Sequence, residues 1–428
     1  MRPVKSTPAH QTDKFAELVC SNSLKSESEN TAPWLLKEEM RRAGSLLLKI
    51  AQETSVPAGH ALAVDRELFA TRVTEVIEAE PLIGVVREEM TDINESEGIT
   101  IVATGPLTSD ALSQEIARLS GNDHLYFYDS ISPIVEADSI DMSRVYFAAR
   151  YGKGTADYIN CPFTKEEYDR FYDALIVAQS VEGHNWEKLN YFEGCLPIEE
   201  IARRGRDTLR FGPMKPVGLE DPRTGKWPYA VVQLRKEDLR AGSYNLVGFQ
   251  NHLKYGEQAR VLRLIPGLEN AKFLRYGQIH RNTYINAPSL LTELLNLKRH
   301  PNVFFAGQIS GVEGYTESIA IGMLVGLHVA RIARGLPAIA PRRETALGSL
   351  VHYLCNASAK NFQPANITFD LLPQLDEGTC RRIRDKKLRH QMVCERALEA
   401  MDGWLRQYEA ASDQRQDGVE NDGVARVR

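Results

Sequence analysis

Apolar side chains at Leu35, Leu36, Met40, Ala43, Leu46, Leu47 and Ile50 recur in steps of three and four, which predicts a helix over 34–53. Ser55–Gly59 interrupts it, and Asp65 reads as the N-cap of a second helix ending near Ala79. Leu82–Met90 and Gly98–Ala103 read as strands, the latter closing in the sharp turn Thr104-Gly105-Pro106. Helices alternating with strands predict a parallel sheet with crossover helices. The pattern changes near Asp138. Irregular, mixed strands are expected at Val145–Ala149, Tyr158–Asn160, Ala230–Leu234 and Tyr244–Phe249, with a helix over Lys165–Gln179 among them. These mark an inserted α+β domain over 139–270. The α/β style of 1–138 returns over 271–344, 345–408 is mainly helical, and 409–428 is a polar, disordered tail.

The most informative stretch is FFAGQISGVEGYTESIAIGMLV, residues 304–325. A short buried strand runs into a loop containing Gly307, Gly311 and Gly314 and then into an apolar helix. Such a loop at a strand's C-terminal edge presents backbone N–H groups and a helix N-terminus to an anion, and its glycines let main chain approach a planar ring. The competing reading is plain α/β scaffolding. No GxGxxG follows an N-terminal strand.

Composition narrows the function classes. A net charge of −5 leaves no global field for nucleic acid, so an RNA partner requires a local basic patch. Cys20, Cys161, Cys195, Cys355, Cys380 and Cys394 show neither CxxC nor zinc spacing. The opening MRPVKSTPAH has no apolar signal region, and the longest apolar run, around Ile319–Ala330, is short for a bilayer and contains His328. The expectation is a reduced, cytoplasmic protein with no membrane partner.

Four groups have chemical potential. Cys20, followed by Ser21-Asn22-Ser23, is either a thiol at a turn or a small buried hydrophobe beside Leu18 and Val19. Cys195 sits between Gly194 and Pro197, upstream of Arg203, Arg204, Arg206 and Arg210; these cations either favour thiolate and hold phosphates or form a solvated face. His280-Arg281-Asn282 grips a heterocycle or carboxylate, or faces water. Arg381, Arg382, Arg384, Lys386, Lys387 and Arg389 form the densest basic run, either a phosphate contact or a solvated helix.

Together, RPVKSTPAHQTDKFAELVCSNSLKS, FEGCLPIEEIARRGRDTLRFGPMKPVGLEDPRTGK, RYGQIHRNTYINAPSLL, FFAGQISGVEGY and AKNFQPANITF, with shorter stretches between residues 2 and about 370, resemble the bacterial folate- and FAD-dependent tRNA (uracil-5-)-methyltransferases. The resemblance implies an FAD-binding Rossmann-like domain of the glutathione-reductase type, split into 1–138 and 271–344 around the inserted domain. It implies methylenetetrahydrofolate as carbon donor, FAD as reductant, NAD(P)H as electron source and the T-loop uridine of tRNA as substrate. It places the two functional cysteines at Cys20 and Cys195. Flavin contacts fall at Thr104, Gly105 and the loop Gly307, Gln308, Gly311, Val312, Glu313, Gly314 and Tyr315. Folate or RNA contacts fall at His280, Arg281, Asn282, Arg203, Arg204 and Arg206. Cys195 is expected to attack C6 of uracil and Cys20 to act as base, with the interchanged assignment as the alternative. The family opens with a strand, GxGxxG and an acidic residue, which this sequence does not contain; the expectation is a truncated dinucleotide site, weak FAD binding, and an unfilled sheet position with exposed apolar surface. The related flavoproteins that modify wobble uridines, and a non-catalytic tRNA- or folate-binding remnant, are the other readings.

Overall fold

The computed structural model describes residues 7, 9–93, 98–121, 125–181 and 196–413. The chain divides into two compact units, one built from 1–26, 49–90 and 125–283, the other from 27–48, 91–124 and 284–428.

In the first unit a six-stranded sheet takes the order Phe273–Arg275, Ile134–Glu136, Ser243–Leu246, Ala230–Lys236, Ile159–Phe163, Tyr146–Phe147. Every neighbouring pair is antiparallel, where the sequence predicted irregular, mixed strands. Two of its strands lie outside 139–270, so the sheet draws on chain from both sides of the expected insertion. Alternation puts Ile159, Cys161 and Phe163 on one face with Ala230, Val232 and Leu234. The helix Lys165–Ile176 covers that face with Tyr168, Phe171 and Leu175, spaced three and four apart. A full capping box starts it: Thr164 and Glu167 each satisfy the other's backbone N–H. A smaller sheet orders Ser23–Ser26, Ala61–Val64 and Ser55–Val56. From it the chain enters the helix Arg66–Ala79, whose Leu68 N–H is capped by Asp65 as the sequence predicted.

Leu82–Met90 is not a strand. Leu82 is 93% exposed and Val86 72%, and no neighbouring strand pairs with them. The predicted helix over 34–53 is two helices, Ala32–Arg42 and Leu46–Glu53, because Gly44 turns left-handed between them (φ 72°).

The second unit is built around the helix Tyr315–Ala333, packed on Ala32–Arg42. At 19 residues it has the length and composition to cross a membrane. Here it is a core helix: Glu317, His328 and Arg331 are buried on it, with Glu317 Oε1 accepting the Ile367 N–H, His328 Nδ1 meeting the Leu294 carbonyl and Arg331 Nε donating to the Pro337 carbonyl. Val303–Phe305 pairs in parallel with Thr100–Val102, on which Ile101 is 40% exposed. The helices Ala346–Asn356, Glu377–Arg382 and Lys386–Asp413 complete the unit; the last runs five residues into the segment expected to be a tail.

Candidate active site

The second unit brings together the two segments expected to meet the flavin. The parallel register pairs Thr100 with Val303, Ile101 with Phe304 and Val102 with Phe305, and Ala306 N–H donates to Val102 O at 3.0 Å. Both strands therefore end level. One continues into Thr104-Gly105, the other into Gly307, at the carboxyl edge where α/β sheets hold dinucleotides.

Gly105 (φ 67°) and Gly307 (φ 74°) adopt backbone conformations that favour glycine. A Cβ on Gly105 would meet no protein atom within 4 Å, and one on Gly307 none closer than 3.8 Å, so both present open main chain. Gly311 is different: its Cβ would lie 2.5 Å from Phe362 Cζ, so packing demands glycine there. The loop is fastened from behind. Val312 bridges to Ala365, Glu313 N–H donates to Ala365 O at 3.0 Å, and Gln308 Nε2 donates to the Glu313 carboxylate at 2.6 Å. Gly314 caps the 19-residue helix with no side-chain hydrogen bond, and Tyr315 opens it. Open glycine backbone leading to an uncapped helix start fits the pyrophosphate and ring system of FAD.

Cys20 lies in the first unit, on a loop held from both sides. Leu18 and Val19 are core residues and Cys20 is partly exposed at their rim. Behind it, Asn22 is fully buried and donates Nδ2–H to Val64 O at 3.0 Å and Lys236 O at 2.9 Å. Arg235 donates Nε–H to Asn22 Oδ1 at 2.9 Å and Nη2–H to Ser21 Oγ at 2.8 Å. In front, Arg66 donates to Leu18 O while paired with Glu237 at 2.8 Å. The other cysteines contrast with this. Cys161 is fully buried, and burial pushes the thiols of Cys355 and Cys394 up to about 11 and about 12, which leaves them protonated filler.

Cys195 lies outside the described residues. The chain after it enters the helix Ile198–Arg203. The arginines downstream are engaged locally. Arg203 pairs with Glu200; Arg206 pairs with Asp169 at 2.9 Å and with Asp173 and covers the Tyr172 ring; Arg210 stacks 3.6 Å above Tyr229. Its hydrogen bond to Asp173, above all, holds the Arg206 guanidinium even more firmly protonated than usual. Arg204 is exposed. Of His280-Arg281-Asn282, the backbone forms the strand Ile279–Tyr284, and Asn282 buries its amide with Oδ1 accepting no hydrogen bond.

One pair had no sequence signal. Glu199 and Glu200 are adjacent and alike in sequence, but Glu199 is buried, 2.8 Å from His252 Nδ1, and also accepts the His252 N–H at 2.9 Å. It lies four residues after Cys195.

These features define a Rossmann-like, FAD-binding α/β fold. The profile described as glucose inhibited division protein A matches residues 4–337. The chain is 79% identical to the methylenetetrahydrofolate–tRNA-(uracil-5-)-methyltransferase TrmFO of Koribacter versatilis over 405 residues, 95% of this chain and 91% of that protein. It is 65% identical to the protein of the same name from Solibacter usitatus (94% and 91% covered) and 55% identical to that from Enterococcus faecalis (93% and 90%). The form II crystal structure of Aquifex aeolicus GidA shares the fold with a TM-score of 0.65 at 16% identity, over 94% of this chain and 70% of that one. The chain belongs to the glucose inhibited division protein A family and, within it, to the methylenetetrahydrofolate–tRNA-(uracil-5-)-methyltransferases named TrmFO.

Proposed function

We infer that this protein methylates C5 of a tRNA uridine, taking the carbon from methylenetetrahydrofolate; the T-loop uridine is the proposed target and the cytoplasm the proposed compartment. The observation that carries the reading is 79% identity along 95% of the chain to a protein of that activity. The 16% identity to GidA carries the fold alone, so a wobble-uridine activity has no comparable support. FAD, when bound, supplies the electrons that reduce the transferred methylene to methyl, with NAD(P)H as the proposed source.

The protein's own task is to activate a poor nucleophile. In our proposal the Cys195 thiolate adds to C6 of uracil, forming an S–C6 bond and moving the C5–C6 pair into an enolate, so that C5 attacks the one-carbon unit. Cys20 then takes the C5 proton, and the released pair expels the folate nitrogen from the one-carbon unit; once that carbon has been reduced to methyl, the electron pair returned to the ring restores the C5–C6 double bond and sulfur departs from C6. The rim position of Cys20 on a doubly anchored loop supports this role. The unsatisfied Asn282 oxygen supports Asn282 as a contact to the N–H of a heterocycle, with His280 and Arg281 beside it in sequence. The uridine must leave its stack to be reached.

The test uses tRNA bearing 5-fluorouridine, whose C5 holds no removable proton. We expect a covalent adduct mapping to Cys195, absent in Cys195→Ala and retained in Cys20→Ala. Attachment to Cys20 reverses the roles, and methyluridine formation by both alanine variants overturns the assignment.

A further inference from the structure

We propose that the basic segment linking the helices Glu377–Arg382 and Lys386–Asp413 is a docking surface for the phosphate backbone of the substrate tRNA. The proposal rests on the reading of the protein as a tRNA methyltransferase.

Nine consecutive residues, 381–389, hold six cations and one acid, in a chain whose net charge is −5. Solvated helix faces ordinarily interleave charges so that i and i+4 attract. Here the charge is of one sign, and five of the six cations, Arg381, Arg382, Arg384, Lys386 and Lys387, are exposed. The lone acid, Asp385, is spent on the Lys387 backbone N–H at 2.8 Å. Arg381 holds Glu377 at 2.9 Å, but both ends are over 80% exposed, and such a pair exchanges for a better anion at little cost. Arg384, Lys386 and Lys387 have no carboxylate at ion-pair distance among the described residues.

The helix dipole sharpens the argument. Lys386, Lys387 and Arg389 occupy the first turn of a 28-residue helix that has no acid there. A helix N-terminus carries partial positive charge and favours Asp and Glu; here Asp385 alone answers it, capping the Lys387 N–H, against three cations in the first turn. Beside this turn lies a cavity of about 150 Å³ whose lining includes Lys386, Arg389, His390 and Phe369, with Asp370 the one acid among them. Arg389 has a buried Nε–H with no acceptor. The His390 imidazole stacks on the Phe369 ring at 3.8 Å; burial first, then Lys386 and Arg389, hold it below its usual pKa against the opposing pull of Asp370. A donor without an acceptor, unpaired cations and a stacked ring pair are the elements of a sequence-indifferent RNA contact. A specific acidic protein would need apolar anchors at the centre of the patch, and Leu388 is the one large apolar side chain exposed in 381–389.

The experiment compares the wild type with Arg382→Gln/Arg384→Gln/Lys387→Gln and with the corresponding triple Glu variant, whose sites are exposed and whose melting temperatures should match the wild type. Filter binding of unmodified tRNA is measured from 50 to 300 mM KCl, alongside methyl transfer. We expect the Gln variant to bind about tenfold more weakly near 100 mM salt, with a log–log salt slope smaller by about 2, since each lost phosphate contact removes roughly 0.7–0.9. The Glu variant should be weaker still. KM for tRNA should rise while kcat at saturating tRNA stays. If the wild type methylates tRNA and both variants keep its affinity and salt slope, the surface is overturned while the functional reading stands. Loss of self-association at unchanged tRNA affinity assigns the patch to a second copy and overturns the proposal. A wild type that neither binds nor methylates tRNA overturns the functional reading and this surface with it.

Discussion

Arg235 donates its Nε–H to Asn22 Oδ1 across 2.9 Å, two residues beyond Cys20; Arg235 is 6% exposed, and its acceptors among the described residues, Asn22 Oδ1 and Ser21 Oγ, are neutral. A cation is expensive to bury against neutral groups. What it adds is anchorage: with Asn22 bonded also to Val64 and Lys236, four hydrogen bonds hold the Ser21–Asn22 turn. Arg235→Met and Asn22→Ala should each lower kcat by about tenfold or more, because a loosened loop misplaces the Cys20 thiol. Asn22→Ala should also destabilise the protein by about 1–3 kcal/mol through the orphaned partners. Steady-state kinetics beside denaturant titration check this; unchanged kcat in both variants would show that the anchor is dispensable.

The glycines of the flavin edge separate ligand binding from packing. Gly105→Ala puts a methyl group where no protein atom lies within 4 Å, at φ 67°, so the folded chain should lose only about 1–2 kcal/mol. That methyl group occupies space offered to the cofactor, and FAD affinity should fall about tenfold. Gly311→Ala forces a Cβ to 2.5 Å from Phe362 and should lower the melting temperature with or without FAD. Flavin fluorescence titration and thermal melts distinguish the two. If Gly105→Ala binds FAD as the wild type does, the Thr104-Gly105 turn is not a flavin contact.

Glu39 gives a pH signature. Its carboxylate is fully buried and accepts the N–H groups of Ala346 at 2.7 Å and Leu347 at 2.9 Å, capping the helix Ala346–Asn356. Burial pushes it up to about 8, against the pull of those two donors. In the unfolded chain it titrates near 4.3. Between these values the native state holds a proton that the unfolded state has released, so its contribution is full below about pH 4 and is lost as pH rises through about 8. The melting temperature should therefore decline between pH 5 and 8 by more in the wild type than in Glu39→Gln. Parallel pH profiles for the two would place the Glu39 carboxyl at an ordinary value.

Much of this was legible in the sequence where local chemistry decides. Asp65 caps its helix because a short acid before an apolar repeat satisfies the first free N–H groups. The loop after Phe305 was visible because only glycine adopts the φ values at Gly307 and Gly314 cheaply. Where a partner decides, the sequence was silent. Leu82–Met90 has strand composition, but a strand exists only if another pairs with it, and none does. The arginines after Cys195 read either as a phosphate cradle or as a solvated face; Asp169 and Asp173, more than thirty residues away in sequence, meet Arg206 once the helix Lys165–Ile176 forms. Whether Gly311 serves a ligand or Phe362 was unreadable for the same reason.

Glu199 tests whether the hidden carboxylate near Cys195 is structural or functional. It is 1% exposed; its Oε1 accepts the backbone N–H of His252 and lies 2.8 Å from Nδ1, while Oε2 accepts no hydrogen bond. Removing the carboxylate leaves the buried His252 N–H unmet, so Glu199→Ala should destabilise the protein by about 2–3 kcal/mol. Glu199→Gln retains one acceptor oxygen and should cost less, near 1–2 kcal/mol. If the pair only holds the chain between the helix Ile198–Arg203 and His252, the folded Gln variant should methylate with normal kcat and an unchanged pH–rate profile. If it instead sets the protonation of a group used in catalysis, the Gln variant should shift the acidic limb of kcat/KM while its fold stays intact. The exposed neighbour Glu200, paired with Arg203 on the surface, is the control: Glu200→Gln should change neither stability by more than about 0.5 kcal/mol nor the pH profile.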